Sequence, residues 1–595
     1  MRFGPGAHLS GPKPHVKNKK KVLSRLWKYL RKHTLSLAGV FLLIGVSSLR
    51  EMLTPLIISI AIDDFIIPGN AAGLLNLVLL AAALFVGVAG ATWLQQYIMV
   101  GVTQKTLLNL RQDLFSHMQK LDLRYYDSHT HGELMSRFTN DMENINNVMS
   151  QVVIQFLSSI LSIIGVSVMM FILNPLLALV TLVTVPLIVL LNRLIGKKIS
   201  RYFSMQQKLL GKINGQIEET ISGIRIVKLF RREKAAEAEL SATNRELKKT
   251  SIKAQVTAGV AGPLMNMGNN IRYAIVAAAG GIFYSYGMAS VGIIAGFLNY
   301  TRQFGRPISM MAQLYNSILS ALAGAERVFE VLDEQPCITS KKDARILGRV
   351  RGDVIFKNVC FSYIEGTPVL KNISLSVQSG KTVALVGPTG AGKTTIINLL
   401  TRFYDIQEGT IMIDDWDIRD YSLESLRRSL GLVLQDTFLF SGTVMDNIRY
   451  GNLQAADEAV YNAAKASRAD HFIRHLSDGY LTVLSEDGQN LSHGQRQLIA
   501  IARAILADPA ILILDEATSN VDTRTELLIQ EGMLQLMRGR TAFVIAHRLS
   551  TIRNADAILV MNNGEIIERG THDELLRQKL FYARLHESHF ETEIR

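Results

Sequence analysis

The chain is short of cysteine, of charge and of breaks in its apolar runs, and each shortage narrows what it can be. Cys337 and Cys360 are its two cysteines in 595 residues. A disulfide scaffold is excluded, no cysteine-based metal spacing exists, and both thiols are expected to be unpaired in a reducing compartment. Charged residues make up 19% of the chain and apolar ones 48%, with a mean hydropathy of +0.19. That balance is too apolar for a purely soluble protein. A cleavable signal peptide is not expected, because the first apolar span starts late and is too long. Lys and Arg are missing from three short connections, around 64–73, 174–175 and 286–291.

What is present is segregated. Residues 34–325 hold repeated runs long enough to cross a bilayer, whereas 346–595 has a mixed, soluble composition. Spans are predicted near 34–67, 73–100, 151–173, 175–196, 257–287 and 290–325. The long connections 101–150 and 197–256 are rich in Lys and Arg. By the positive-inside bias they face the cytoplasm together with both termini. Residues 101–124 and 197–256 keep apolar residues at helical spacing and lack proline, so helices should continue well beyond the bilayer. Each arm is interrupted, at Tyr125–Gly132 and at Ile221–Ile224.

The net charge of +13 owes much to ten Lys/Arg within the first 33 residues. Residues 17–33 read as an interfacial helix at the cytoplasmic membrane face, so nucleic acid is not the expected partner. Polar groups inside the spans need an account: Arg50 and Glu51, Arg302 and Arg306, and Asn266, Asn269, Asn270 and Arg272. Either they line a water-filled pathway, or they pair and fix helix packing. The expected plan is a basic segment 1–33, a transmembrane domain 34–325, a linker 326–345 and an α/β domain 346–595.

The second half carries the chemistry. Gly387–Thr395 reads GPTGAGKTT, between an apolar strand at Thr382–Val386 and a helix opening at Thr395–Thr401. Small residues at Gly387, Thr389, Gly390 and Gly392 let backbone N–H groups wrap a β-phosphate, with Thr395 entering the helix. Lys393 reaches the β/γ oxygens, and the Thr394 hydroxyl ligates Mg²⁺. Ile511–Leu514 is an apolar strand, expected beside the phosphate-loop strand, that ends in Asp515 and Glu516. Asp515 then holds Mg²⁺ through water and Glu516 polarises the attacking water. Gln435 and His547 each follow an apolar strand, where an amide contacts metal and an imidazole contacts the γ-phosphate. Tyr363 is a candidate to stack on adenine. Ser492, Gly494 and Gln495 precede a helix expected near Arg496, whose N-terminus favours an anion.

In this order the motifs closely resemble those of ABC exporters built as half-transporters, with six spans followed by one nucleotide-binding domain. The likeness covers about residues 17–590. It rests on the Walker A motif at 387–395, the Q-loop at Gln435 and the signature LSHGQ at 491–495. Walker B at 510–516, a D-loop at 519–522 that includes Asp522, and the H-loop His547 complete the set. The resemblance implies a membrane helical bundle followed by an α/β P-loop ATPase domain using ATP and Mg²⁺. It also implies a dimer in which each ATP lies between one chain's Walker motifs and the other's signature, and makes the two interruptions coupling helices.

Three departures refine it. His493 replaces the usual first glycine of the signature, Leu484–Gly488 lacks the usual Glu-Val-Gly run, and Asn520-Val521 stands where Ala-Leu is common. With Glu516, Gln435 and His547 intact, the chain is similar to one half of asymmetric bacterial multidrug exporters. It would supply Glu516 to the hydrolytic site and LSHGQ to a degenerate one. The alternative is a homodimer that tolerates His493. A lipid flippase and an ATP-gated channel or sensor subunit are the rival functions.

Overall fold

A computed structural model describes residues 18–589, apart from 349, 436, 517–521, 547 and 548. The chain divides into two compact units. One comprises Met1–Lys120 and His129–Glu334, the other Leu121–Ser128 and Gln335–Arg595.

The first unit is helical. Helix α1 (Lys19–Leu30) has no acidic residue, buries Val22 and leaves Leu23 and Trp27 exposed. Its inner face is held by Arg25, which donates to Asp333 (2.5 Å) and lies 4.3 Å over the Phe329 ring. Helix α2 (Thr34–Ile60) runs into a π-helical turn at Ala61–Ile66, and α3 spans Ala71–Met118. At 1.5 Å per residue, the 48 residues of α3 reach about 70 Å, more than twice the roughly 30 Å of a bilayer's hydrocarbon. The expected extension beyond the membrane follows from that length.

A short helix α4 (Leu123–Asp127) comes next and belongs to the second unit. It starts two residues before the expected turn, because Asp122 takes the extended N-cap conformation. The remaining long helices are α5 (His131–Leu173), α6 (Pro175–Ser222), α8 (Glu233–Ser285) and α9 (Val291–Asp333). The short α7 (Ile224–Leu229) follows a break at Gly223, where the sequence placed it. Asn174 caps α6 by accepting from the Leu177 N–H (3.0 Å), with Pro175 at the first helical position. Among the described residues, Lys19–Ile66, Ala71–Met118 and His131–Leu173 are long and apolar enough to cross a membrane. Leu35, Val86 and Ile172 are among their exposed apolar side chains.

In the second unit the strands run, in chain order, β1 (Val354–Phe361), β2 (Leu370–Val377), β3 (Thr382–Val386), β4 (Glu408–Ile413), β5 (Trp416–Asp417) and β6 (Leu430–Val433). They continue with β7 (Gly442–Thr443), β8 (Val483–Leu484), β9 (Ile511–Glu516), β10 (Thr541–Ala546), β11 (Ala557–Asn562) and β12 (Glu565–Gly570). An antiparallel sheet has the order β2-β1-β4-β5, and the central sheet β12-β11-β3-β10-β9-β6. In the central sheet, β11, β3, β10, β9 and β6 are parallel. Successive residues of its strands feed two cores. Leu512, Leu514, Ala542 and Val544 enter the helical side, while Ile511, Ile513, Phe543 and Ile545 pack towards β1, β2 and β4. Covered on both faces, these strands read as unbroken apolar runs.

One expectation is corrected here. β9 does not lie beside β3: β10, buried along its whole length, sits between them. Two strands whose central residues are both apolar give no sequence signal of their order.

Candidate nucleotide site

The register of the central sheet assembles the site. Leu385 pairs with Ile545, Ile545 with Asp515, and Leu514 with Val433. The C-terminal ends of β3, β10, β9 and β6 therefore share one edge. This puts the phosphate loop, Asp515 and the segment entering Gln435 together, at the edge where parallel α/β sheets bind ligands.

After β3 the backbone turns sharply. Gly387, Gly390 and Gly392 have φ of +154°, +84° and +101°. A Cβ at Gly387 would lie 2.2 Å from the Met561 carbonyl oxygen, and one at Gly392 would lie 2.6 Å from Leu370 Cδ2. Only glycine fits either place. Helix α10 (Lys393–Leu400) then begins, two residues earlier than expected, so Lys393 and Thr394 form its first turn. Its N-terminal N–H groups favour an anion. Lys393 is 8% exposed, and its Nζ donates to the carbonyls of Gly387 (2.6 Å) and Pro388 (3.0 Å). Burial pushes the ammonium below its usual range, with Asp515 opposing that shift. Thr389, Gly390 and Thr394 are exposed, whereas Thr395 is buried. The Thr394 hydroxyl, the Asp515 carboxylate and the Gln435 amide are hard oxygen donors of the kind that suit Mg²⁺.

The other sequence-derived residues fall as follows. Gln435 is exposed just beyond β6. Glu516 is the last residue of β9, opposite Ala546. The Glu516 side chain, the D-loop residues 519–521 and His547 lie outside the described residues. Asp522 caps helix α12 (Thr523–Met537), accepting N–H groups from Arg524 (3.1 Å) and Thr525 (3.0 Å), and these bonds hold its carboxyl below the usual range.

Tyr363 is half-buried. Its hydroxyl accepts from Asn398 Nδ2 (3.0 Å) and donates to Thr395 Oγ1 (3.4 Å), which fixes its ring beside α10. Helix α11 (His493–Ala507) starts three residues before the expected Arg496. The reason is a capping box: Ser492 Oγ accepts from the Gln495 N–H (3.2 Å), and Gln495 Oε1 accepts from the Ser492 N–H (2.9 Å). Those motif side chains therefore shape the helix start, with Gly494 buried and His493 half-buried in its first turn.

Two residues were missed from the sequence. Arg503 lies 5.9 Å from the Phe440 ring and 5.4 Å from Tyr450, and donates to the Asn447 carbonyl (2.9 Å). It ties α11 to the segment that follows Gln435. Tyr404 packs edge-on against Tyr363 at 5.0 Å. The adjoining charges in Arg402-Phe403-Tyr404-Asp405 were the available signal.

In the first unit, Arg50 and Glu51 border a cavity of about 1380 Å³ with Gln95, Gln96, Gln155 and Gln303. Glu51 also accepts the Ser162 hydroxyl. Arg272 is buried and donates to the Thr301 carbonyl, the packing role. Asn266, Asn269, Asn270 and Arg302 are exposed, and the Arg306 side chain lies outside the described residues.

Family comparison settles the class. The ABC transporter transmembrane region matches residues 37–308, and the ABC transporter family matches 370–519. The chain is an ABC exporter half-transporter. A Bacillus subtilis ABC transporter ATP-binding protein is 45% identical over 97% of this chain and 95% of its own length. A Mycobacterium bovis fatty acid ABC transporter ATP-binding/permease protein is 45% identical, covering 85% of this chain and 80% of its own. A Syntrophus aciditrophicus ATP-dependent lipid A-core flippase is 37% identical over 96% and 95%. A bacterial Atm1-family ABC exporter solved with ATP bound superposes with a TM-score of 0.73 at 30% identity, covering 93% of this chain and 97% of that one. The half-transporter thus binds and hydrolyses ATP and spans a membrane, and exporters of this kind act as dimers.

Proposed function

We propose that this half-transporter exports hydrophobic and amphipathic compounds across the cytoplasmic membrane, as in multidrug efflux. The observation that carries this reading is the cavity beside Arg50 and Glu51, lined by polar side chains such as Gln95 and Gln155 and by apolar ones such as Trp93 and Ile154, set among helices with apolar outer faces. Such a cavity takes a solute with both an apolar body and hydrogen-bonding groups. Both termini and the ATPase unit face the cytoplasm, as the Lys/Arg placement requires.

In this reading Lys393 and the loop N–H groups hold the phosphates, Tyr363 stacks on adenine, and Glu516 acts as general base. Gln435 and His547 read the γ-phosphate. Mg²⁺, when bound by Thr394, Asp515 and Gln435, neutralises phosphate charge. Ser492, Gly494, Gln495 and Asp522 meet the nucleotide held by the second half-transporter. The dimer is supported by the exposed Ile226, Leu229 and Phe230 at α7 and by an exposed patch of Phe438, Phe440 and Tyr450. We place α7 on the partner chain's ATPase unit. His493 beside an intact Glu516 favours a heterodimer with one hydrolytic and one degenerate site.

A second reading, lipid translocation, is favoured by the fatty acid and lipid A-core relatives. Inverted membrane vesicles separate the two. ATP-dependent uptake of a cationic dye that is lost in Glu516→Gln supports drug export. Movement of a labelled fatty acid or phospholipid without dye uptake replaces it with the lipid reading. The mass of the complex purified with a tagged 66.0 kDa chain decides the pairing, since two copies of this chain would sink the heterodimer.

A further inference from the structure

The short helix α4 is fastened to the ATPase unit at both ends. Asp122, at its N-cap, accepts the backbone N–H groups of Cys337 (2.5 Å) and Ile338 (3.2 Å). Asp127, its last residue, accepts the Tyr404 hydroxyl. The first anchor grips the linker. The second reaches the nucleotide site.

Tyr404 is 7% exposed. Its ring meets Tyr363 edge-on at 5.0 Å and Phe361 at 5.8 Å. Tyr363 is in turn bonded to Asn398 and Thr395 of α10. Asp127, Tyr404, Tyr363 and Thr395 therefore form an unbroken series of contacts from α4 to the helix that opens at the phosphate loop.

The turn that presents Tyr404 is braced. It leaves α10 directly, and Arg402 takes a left-handed conformation, φ +51°, that costs a non-glycine residue energy. Asp405 accepts from Arg402 Nε (2.9 Å), and Arg427 donates to the Arg402 carbonyl (3.1 Å) while lying 5.3 Å over Phe403. Charge-assisted bonds on both sides leave the turn little freedom to absorb a shift. A displacement of α10 is passed to Tyr404 instead. The buried Tyr404 hydroxyl needs a partner, and a backbone carbonyl would serve packing equally well. Its partner is a carboxylate on α4.

We infer that Tyr404 is a positioning residue that couples nucleotide occupancy beside Tyr363 and Thr395 to the placement of α4 through Asp127. This rests on the proposed nucleotide reading of Tyr363 and the phosphate loop. Coupling by a two-ended contact series is reciprocal: whatever moves α4 also alters how the adenine pocket is set.

The test uses the full transporter, with its partner, in lipid nanodiscs. Hydrogen exchange of the peptide covering 121–128 is read with and without AMP-PNP and Mg²⁺, and nucleotide affinity is read separately with TNP-ATP. The unsubstituted protein should exchange at least ~3-fold more slowly in this peptide when nucleotide is bound. Tyr404→Phe keeps the ring and removes the hydroxyl, so the nucleotide-dependent difference should vanish while TNP-ATP affinity stays within about twofold. Asp127→Asn keeps an acceptor oxygen and should retain the difference; Asp127→Ala should not. A merely structural bond would change exchange equally in both states. A nucleotide-dependent difference that persists in Tyr404→Phe, or that is absent from the unsubstituted protein, overturns the inference. Tyr363→Leu separates the two readings: unchanged TNP-ATP affinity removes the adenine assignment, whereas exchange alone decides the Tyr404 link.

Discussion

The two short helices that interrupt the long helical arms look alike in sequence position and differ in structure. Helix α4 belongs to this chain's own ATPase unit, held there by Asp122 and Asp127. Helix α7 is not part of that unit, and its residues Ile226 and Leu229, with Phe230 just after it, are 64%, 77% and 68% exposed. The first ends in carboxylates whose acceptors are satisfied within the chain. The second presents apolar side chains that are exposed among the described residues. A helix with satisfied polar ends is complete in one chain, and one with bare apolar faces requires another surface.

That contrast can be broken, and the largest effect lies outside both helices. Glu516→Gln is expected to cut ATP turnover by roughly 100-fold or more, the range for losing a general base, while TNP-ATP still binds. Turnover near the unsubstituted rate would show that neither helix reports on a motor driven by this residue. Next comes the double substitution Leu229→Asp with Phe230→Asp, aimed at the bare helix. It should reduce dye transport on the order of tenfold and leave nucleotide affinity unchanged. If transport persists, α7 has no partner surface and the comparison collapses.

Asp127→Ala, on the tethered helix, should lower transport by a smaller factor, on the order of threefold, because Asp122 still anchors the other end. An effect as large as that of the α7 pair would make the two helices equivalent. The smallest expected change is in stability. Ser492→Ala removes one half of a capping box and should cost about 1 kcal/mol, seen as a lower thermal midpoint. No shift in that midpoint would mean that Ser492 serves the nucleotide and not the helix.

Much of the ATPase unit was legible before folding because its signals are local. The three glycines with positive φ, Lys393, and the two carboxylates at the end of β9 lie in short contiguous stretches. Strand–loop–helix context could be read directly from apolar runs and breakers. Helix starts were less legible. Lys393 and His493 begin their helices two and three residues early, since capping depends on a backbone conformation that hydrophobic period does not report. The polar residues of the membrane unit stayed ambiguous for a similar reason. Arg50 and Arg272 are the same residue type in the same apolar context, yet one lines a cavity and the other bonds a backbone carbonyl inside the packing.

The sequence by itself determined that a membrane-spanning helical region precedes an ABC ATPase domain, and that helices of the first region run well beyond the length of a span. Periodicity, composition and glycine chemistry act between near neighbours, so they survive in a one-dimensional reading. Only the tertiary structure decided that β10 separates β3 from β9, that α4 joins the ATPase unit, and that Tyr404 stands between Asp127 and Tyr363. Asp127 and Tyr404 are 277 residues apart. No local pattern encodes a contact across that separation. It exists because the braced turn after α10 places the Tyr404 hydroxyl where the Asp127 carboxylate of α4, in the same unit, accepts it.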